Sequence, residues 1–136
     1  MAVVEELLRA EGDGTISFGN HMLASKAKLE DYEHGGNLYK VKTFKELTKL
    51  EKNGMFAYES EPGTSVNGFS ETENGVTFKV EGSEDAQITV GLEEDTVYKV
   101  YVNGANVGEM KTNLSGKLNI SVELASVGAA EVKIVK

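Results

Sequence analysis

The chain has 136 residues, no cysteine and a formal net charge of −8. The length suits one domain, or one domain with a smaller appended unit, and the 15 glycines and single proline fit an ordered chain with many tight turns. The missing thiols exclude disulfides, thiolate nucleophiles and zinc–thiolate sites, while the negative charge argues against nucleic acid and anionic membranes as partners.

The first sixty residues contain turn signals that predict β-hairpins. Gly12-Asp13-Gly14 and Gly35-Gly36-Asn37 each separate two short segments of strand-forming residues. Residues 3–9 are also compatible with a short helix, because several of them are good helix formers. We therefore predict a strand-rich N-terminal module over residues 1–60. Because such a module is small for burying its own apolar faces, its strand edges are candidates for oligomerisation.

Residues 44–52 fit two structures. Thr43-Phe44-Lys45-Glu46 matches the capping box of a helix, which would place Leu47 and Leu50 on one face. The segment is short, however, and Asn53-Gly54 leads it directly into a further apolar run, which is the order of a hairpin with an Asn-Gly turn. Strands are favoured, because such a short helix would be isolated among β elements.

From residue 61 onward, strand and turn signals alternate at the spacing typical of an antiparallel β-sandwich. Thr96–Lys111 is the clearest hairpin, because β-branched and aromatic residues alternate before Asn103-Gly104, a pair suited to a type I′ turn. We place this hairpin at the centre of the sandwich. The predicted fold is all-β, with an Ig-like antiparallel β-sandwich over residues 61–136 joined to the smaller strand-rich N-terminal part.

No pattern in the sequence marks a catalytic centre. The chain has neither a Gly-x-Ser-x-Gly nucleophile motif nor a glycine-rich phosphate loop. His34 follows Glu33, so a carboxylate-oriented base or a metal ligand is conceivable there, but solvated or packed side chains explain His34 and His21 more simply. A hydrolase with paired carboxylates stays open, because such spacing is spatial rather than sequential. We predict a protein that is not an enzyme and has no catalytic residues.

Two acidic loops are the candidates for a metal site. Their carboxylates are the oxygen ligands that calcium prefers. The loops contain Glu81, Glu84 and Asp85, and Glu93, Glu94 and Asp95. No Asp-x-Asp-x-Asp-Gly loop accompanies them, and charged turns between strands are common solubility devices. We therefore predict no cofactor, keep calcium as an alternative, and assign no residue as a metal ligand.

Aromatic side chains are the remaining candidates for a ligand site or a subunit interface. Such side chains stack on sugar rings and also fill subunit contacts, although core packing is the simpler explanation for most of them. The candidates are Tyr32, Tyr39, Phe56, Tyr58 and Tyr101. Tyr101 differs from the rest, because its alternation with Val100 and Val102 places it on the face opposite the predicted core.

Two resemblances add to this interpretation. The C-terminal half, especially residues 98–104 and 112–122, is similar to the small β-sandwich modules appended to polysaccharide lyases, which implies a carbohydrate-related role. The whole chain, including residues 39–55 and 58–64, resembles short bacterial proteins labelled "endosialidase". Sialidases hold the substrate carboxylate with an arginine triad on a many-bladed propeller. This chain has a single arginine, Arg9, and is too short for the propeller, so the activity is not carried over.

The sequence therefore predicts a non-enzymatic, self-associating β protein with a structural or scaffolding role, whose strand edges pair between subunits. The alternative is a carbohydrate-binding or accessory module of a glycan-active system. Acidic residues near the N-terminus and the lack of an apolar run of about 18 residues predict no signal peptide and no transmembrane segment. A cytoplasmic location is the default expectation.

Overall fold

A computed structural model describes residues 3–136 of the chain. Within this range the backbone forms thirteen strands and no helix. In chain order the strands are β1 (Leu8–Ala10), β2 (Ile16–Phe18), β3 (Ala27–His34), β4 (Asn37–Phe44), β5 (Leu47–Lys52), β6 (Met55–Glu61), β7 (Ser65–Thr72), β8 (Gly75–Glu81), β9 (Ala86–Gly91), β10 (Val97–Val102), β11 (Ala105–Lys111), β12 (Lys117–Val122) and β13 (Ala129–Val135).

The described strands assemble into two antiparallel sheets that pack face to face, so the predicted all-β sandwich is confirmed, while its Ig-like topology stays a prediction. Sheet A has the order β1-β2-β7-β8-β13-β10-β11, and sheet B has the order β12-β9-β6-β5-β4-β3. Strands β1 and β3 therefore border one lateral side of the sandwich, and β11 and β12 border the other. Residues before and after position 60 contribute strands to both sheets.

Period-two alternation and Asn-Gly turns explain why these segments form hairpins. In β12, Leu118, Ile120 and Val122 are buried, whereas the residues between them are exposed. Asn103 and Gly104 have φ angles of 52° and 83°, as a type I′ turn requires. Alternation thus sets which face of a strand is buried, and the turn sets which residues of the two strands pair.

The structure decides between the alternatives that the sequence left open for several short segments. The preference for strands over a helix in residues 44–52 is confirmed by the pairing of β5 with β6. Residues 3–9 contain no helix, because β1 occupies their end and pairs with β2. The hairpin of Thr96–Lys111 is present but was wrongly placed at the centre, since β11 is an edge of sheet A.

The core contains an aromatic cluster that joins the two sheets. Tyr58 of β6 projects from sheet B and meets Phe18, Phe69 and Phe78 of sheet A edge-on, with ring centroids 5.3, 6.3 and 5.6 Å away. Phe18 comes from the first sixty residues and Phe78 from the remainder. One cluster of buried apolar side chains therefore includes both parts of the chain.

Candidate interaction surfaces

The five candidate aromatic residues do not form one site. Tyr58 is completely buried in the core, so it cannot contact a ligand or a partner without opening the sandwich. Tyr32 and Tyr39 lie opposite each other on β3 and β4. The Tyr32 hydroxyl accepts a hydrogen bond from the backbone N–H of Ala10 at 3.1 Å, which links edge strands β3 and β1. Burial raises the pKa of Tyr39 above its ordinary value. These tyrosines close the β1/β3 side of the sandwich.

The other two candidate aromatic residues lie on opposite outer faces. The ring of Phe56, half-buried, is 4.6 Å from the Nζ of Lys117 at the start of β12. Tyr101 lies on the outer face of sheet A, where the Nζ of Lys133 is 6.0 Å from its ring. Phe56 is therefore next to an edge of sheet B, and Tyr101 is within a polar surface.

His21 and Ser65 form a contact that has the residue types of a nucleophile and its base. The Nδ1 of His21 is 2.7 Å from the Ser65 hydroxyl, which also accepts the backbone N–H of His21 at 3.3 Å. Ser65 is completely buried, so no substrate can reach its oxygen in this conformation. The contact anchors the loop after β2 onto the start of β7.

This contact predicts a loss of stability in mild acid. Burial lowers the pKa of His21, and the Glu81 carboxylate partly opposes that shift. Because the folded state resists protonation of this ring, the unfolded state binds more protons once the pH falls below about 6.5. We expect the free energy of unfolding to decrease between pH 7 and pH 5, and His21→Asn to flatten that slope. Urea unfolding at several pH values measures both, and equal slopes in the two proteins would contradict the prediction.

In the acidic loops, the carboxylates of Asp85, Glu93 and Asp95 make contacts within the chain. The Oδ1 of Asp85 accepts the backbone N–H groups of Leu124 and Ala125 at 2.9 and 3.0 Å. Glu93 forms an ion pair with Lys136 at 2.8 Å, and Asp95 pairs with Lys111 at 3.1 Å. The described part of the chain contains no group of three or more acidic or histidine side chains placed to hold a metal ion.

Asp85 is expected to stabilise the turn after β12. Its hydrogen bonds from the backbone lower the pKa of the carboxyl group, so the stabilisation is present at neutral pH and is lost as the pH falls below the ordinary value of 3.8. Asp85→Ala should lower the melting temperature at pH 7, and Asp85→Asn, which keeps an acceptor, should lower it less. Glu84→Ala is the control from the same loop. A melting temperature of Asp85→Ala equal to that of the wild type would refute this role.

Among the described strands, three of the four sheet edges have features that hinder pairing with another chain. Strand β1 has three residues, and β11 contains a bulge at Val107. Strand β3 has a bulge near Asp31, and three of its four charged residues are acidic. Its charged residues are Lys28, Glu30, Asp31 and Glu33. Strand β12, in contrast, pairs with β9 in unbroken register over Lys117–Val122. It is therefore the edge best suited to accept another strand.

A cleft of about 490 Å³ lies between β11 and β12. We call it the β11/β12 cleft. Its apolar lining comes from Val102, Val107, Met110, Ile120, Val122 and Val127. At its rim, Val107 and Val127 keep 52% and 63% of their surface exposed. The two lateral sides of the sandwich thus differ, because Tyr32 bridges the β1/β3 side while apolar side chains are exposed at the β11/β12 side.

The direction of the backbone groups along β12 follows from Lys117. Its N–H donates to the Asn113 side chain and its C=O accepts the Asn113 N–H, so both groups point away from β9. Backbone direction alternates along an antiparallel strand, so Asn119 and Ser121 also direct their N–H and C=O away from β9. Among the described residues, β12 has no strand on that side.

The β12 edge and its cleft were not among the surfaces predicted from the sequence. The alternating apolar residues of Lys117–Leu124 are typical of a strand, but nothing in a strand's own sequence shows that it lies at a sheet edge. One feature of this segment could have drawn attention to it, since it has a single positive charge at its start and a single negative charge at its end.

No protein-family model, curated protein or solved structure matches this chain. Residues 3–136 include no helix able to cross a membrane.

Proposed function

We propose that this chain is a non-enzymatic, self-associating β protein with a structural or scaffolding role. The β11/β12 cleft carries the proposal, because it combines an uninterrupted edge strand with apolar side chains exposed at its rim. A strand from another molecule would satisfy the backbone groups of Asn119 and Ser121 and cover Val107 and Val127.

Charge favours β12 over the N-terminal edge as the surface for association. Two copies of a chain with a net charge of −8 repel each other overall, so contact is cheapest where the surface is close to neutral. Residues 117–123 carry one lysine and one glutamate, whereas β3 carries three acids and one lysine. The strand edges of residues 1–60 were the predicted place of oligomerisation, and the cleft offers a less charged alternative in the second half of the chain.

Solution mass tests the proposal. Size-exclusion chromatography with light scattering, over about a hundredfold range of concentration, should give a discrete multiple of the 14.7 kDa chain at the higher concentrations. Added salt should strengthen the association, because it screens the repulsion between the negatively charged copies. A monomer mass at every concentration and salt level would contradict self-association.

Carbohydrate binding is a second candidate function, favoured by the outer face of sheet A. Two shallow hollows of about 570 and 450 Å³ adjoin there and share Thr77 and Glu131. Tyr101 and Lys133 line one end, and polar residues of the β1–β2 region line the other. A row of polar groups beside the Tyr101 ring suits a sugar chain, whose hydroxyls need hydrogen bonds and whose ring faces are apolar.

Retention on polysaccharides and glycan arrays, with and without calcium, tests this second candidate. Tyr101→Ala should abolish retention, because, of the two aromatic residues that line the hollows, Tyr101 and Phe78, only Tyr101 is not buried. Lys99→Ala is the matched control, since Lys99 is exposed on the same face of the same strand but does not line the hollows. No retention on any glycan under either condition would count against this candidate.

A further inference from the structure

We infer that the partner at β12 is a second copy of this chain, joined by an antiparallel β12–β12 pair around a two-fold axis at Ile120. The inference rests on the proposed self-association and adds to it the strand, the register and the symmetry. A two-fold contact uses the same surface on both copies, so the strand must be complementary to itself when reversed.

Backbone direction limits the register. An antiparallel pair forms its hydrogen bonds between residues whose N–H and C=O groups face each other. On β12 these residues are Asn119 and Ser121, because Asn113 already occupies the backbone of Lys117. With the axis at Ile120, Asn119 of each copy faces Ser121 of the other, and four backbone hydrogen bonds form. An axis at Asn119 or Ser121 would instead place that residue opposite the same residue of the second copy.

Side chains on the outer face agree with this register. Reversal about Ile120 places Lys117 of one copy opposite Glu123 of the other, and this contact occurs twice. Asn119 and Ser121, which face each other in the pair, already belong to polar contacts across sheet B. Thr89 donates to the Asn119 side chain, and Gln87 donates to the Ser121 hydroxyl at 2.7 Å. The pair would extend this polar arrangement into the second copy.

The cleft provides the apolar part of the contact. Leu118, Ile120 and Val122 face the interior along the edge that the second strand would join. That strand would fill the β11/β12 cleft and remove Val107 and Val127 from water on both copies. Backbone pairing, opposite charges and apolar cover thus come together at a single surface.

Disulfide cross-linking tests the register, and the natural chain has no cysteine to interfere. Paired residues have Cα atoms about 5.5 Å apart, within disulfide range, so Asn119→Cys mixed with Ser121→Cys should give cross-linked dimers on oxidation. Each variant alone should give few, because two copies of residue 119 would be about 8 Å apart and disulfides require less than about 7 Å.

Charge reversal gives an independent test that needs no cross-link. Lys117→Glu and Glu123→Lys should each weaken association about three- to tenfold, since each places like charges opposite one another. The double variant K117E/E123K should recover the wild-type dissociation constant. Circular dichroism confirms that each variant is folded, because Lys117 also contacts the Phe56 ring.

The outcomes separate the register from self-association itself. Selective 119–121 cross-links together with charge recovery support the inferred pair. An oligomer by light scattering, with no selective cross-link and unchanged affinity in the charge variants, overturns the β12–β12 pair and leaves the proposed function standing. A monomer at all concentrations overturns both.

Discussion

Tyr58→Ala is expected to lower the free energy of unfolding by about 3–5 kcal/mol, and the melting temperature by about 10–15 °C. The ring is completely buried and contacts three phenylalanines of the opposite sheet. Its removal would leave a cavity between the sheets that the surrounding side chains can fill only in part. Chemical denaturation monitored by circular dichroism measures the change.

Two further variants separate the contribution of the Tyr58 ring to the free energy of unfolding from other contributions. The Tyr58 hydroxyl is 2.8 Å from the Oγ1 of Thr64, which keeps Ser60 as a second partner at 2.7 Å. Tyr58→Phe should therefore cost only about 1 kcal/mol. Tyr101→Ala is the surface control and should change stability by less than about 1 kcal/mol. A similar loss in Tyr58→Ala and Tyr101→Ala would show that the aromatic cluster does not hold the sheets together.

Asn119→Pro is expected to convert the oligomer into a monomer. The proline removes the outward N–H of Asn119 and places its ring where a second strand would pair. Because that N–H points away from β9, all hydrogen bonds between β12 and β9 remain. Light scattering at the highest concentration used for the wild type should therefore give the mass of one chain, with the circular dichroism spectrum of a folded β protein.

Two matched variants control for side-chain loss and for proline itself. Asn119→Ala removes the side-chain contact with Thr89 but keeps the backbone N–H, so it should still associate. Glu33→Pro places a proline on β3, the other edge of sheet B. Glu33 also points its N–H outward, because the N–H of its partner Leu38 bonds to Asn53 on the opposite side. A monomer in Glu33→Pro with an oligomer in Asn119→Pro would move the interface to β3.

Much of the fold could be predicted, because local sequence determines hairpins. The alternation in β12 and the positive φ angles at Asn103-Gly104 depend on residues close together in the chain. The position of a hairpin within a sheet depends instead on long-range pairing. The Thr96–Lys111 hairpin therefore had the right strands and the wrong place, since nothing in its sequence shows that β13 pairs with β10.

The β11/β12 cleft was harder to predict, because it depends on β12 having no neighbouring strand on one side among the described residues. Alternation places Tyr101 on the outer face of its strand, but only the assembled sheets show that Tyr58 is completely buried in the core. Val107 and Val127 belong to segments that are distant in sequence and meet at one cleft. Lys117 and Glu123 can be recognised as candidates for a contact between two copies only once β12 is known to be a sheet edge.

Amide hydrogen exchange by NMR at high protein concentration tests most directly whether β12 is the interface. The amides of Asn119, Ser121 and Glu33 all point away from their own sheets, so a lone chain should exchange all three rapidly. If β12 is the interface, Asn119 and Ser121 should be protected by at least about tenfold relative to Glu33, after correction for intrinsic rates. Exchange at Asn119 and Ser121 as rapid as at Glu33 would contradict it.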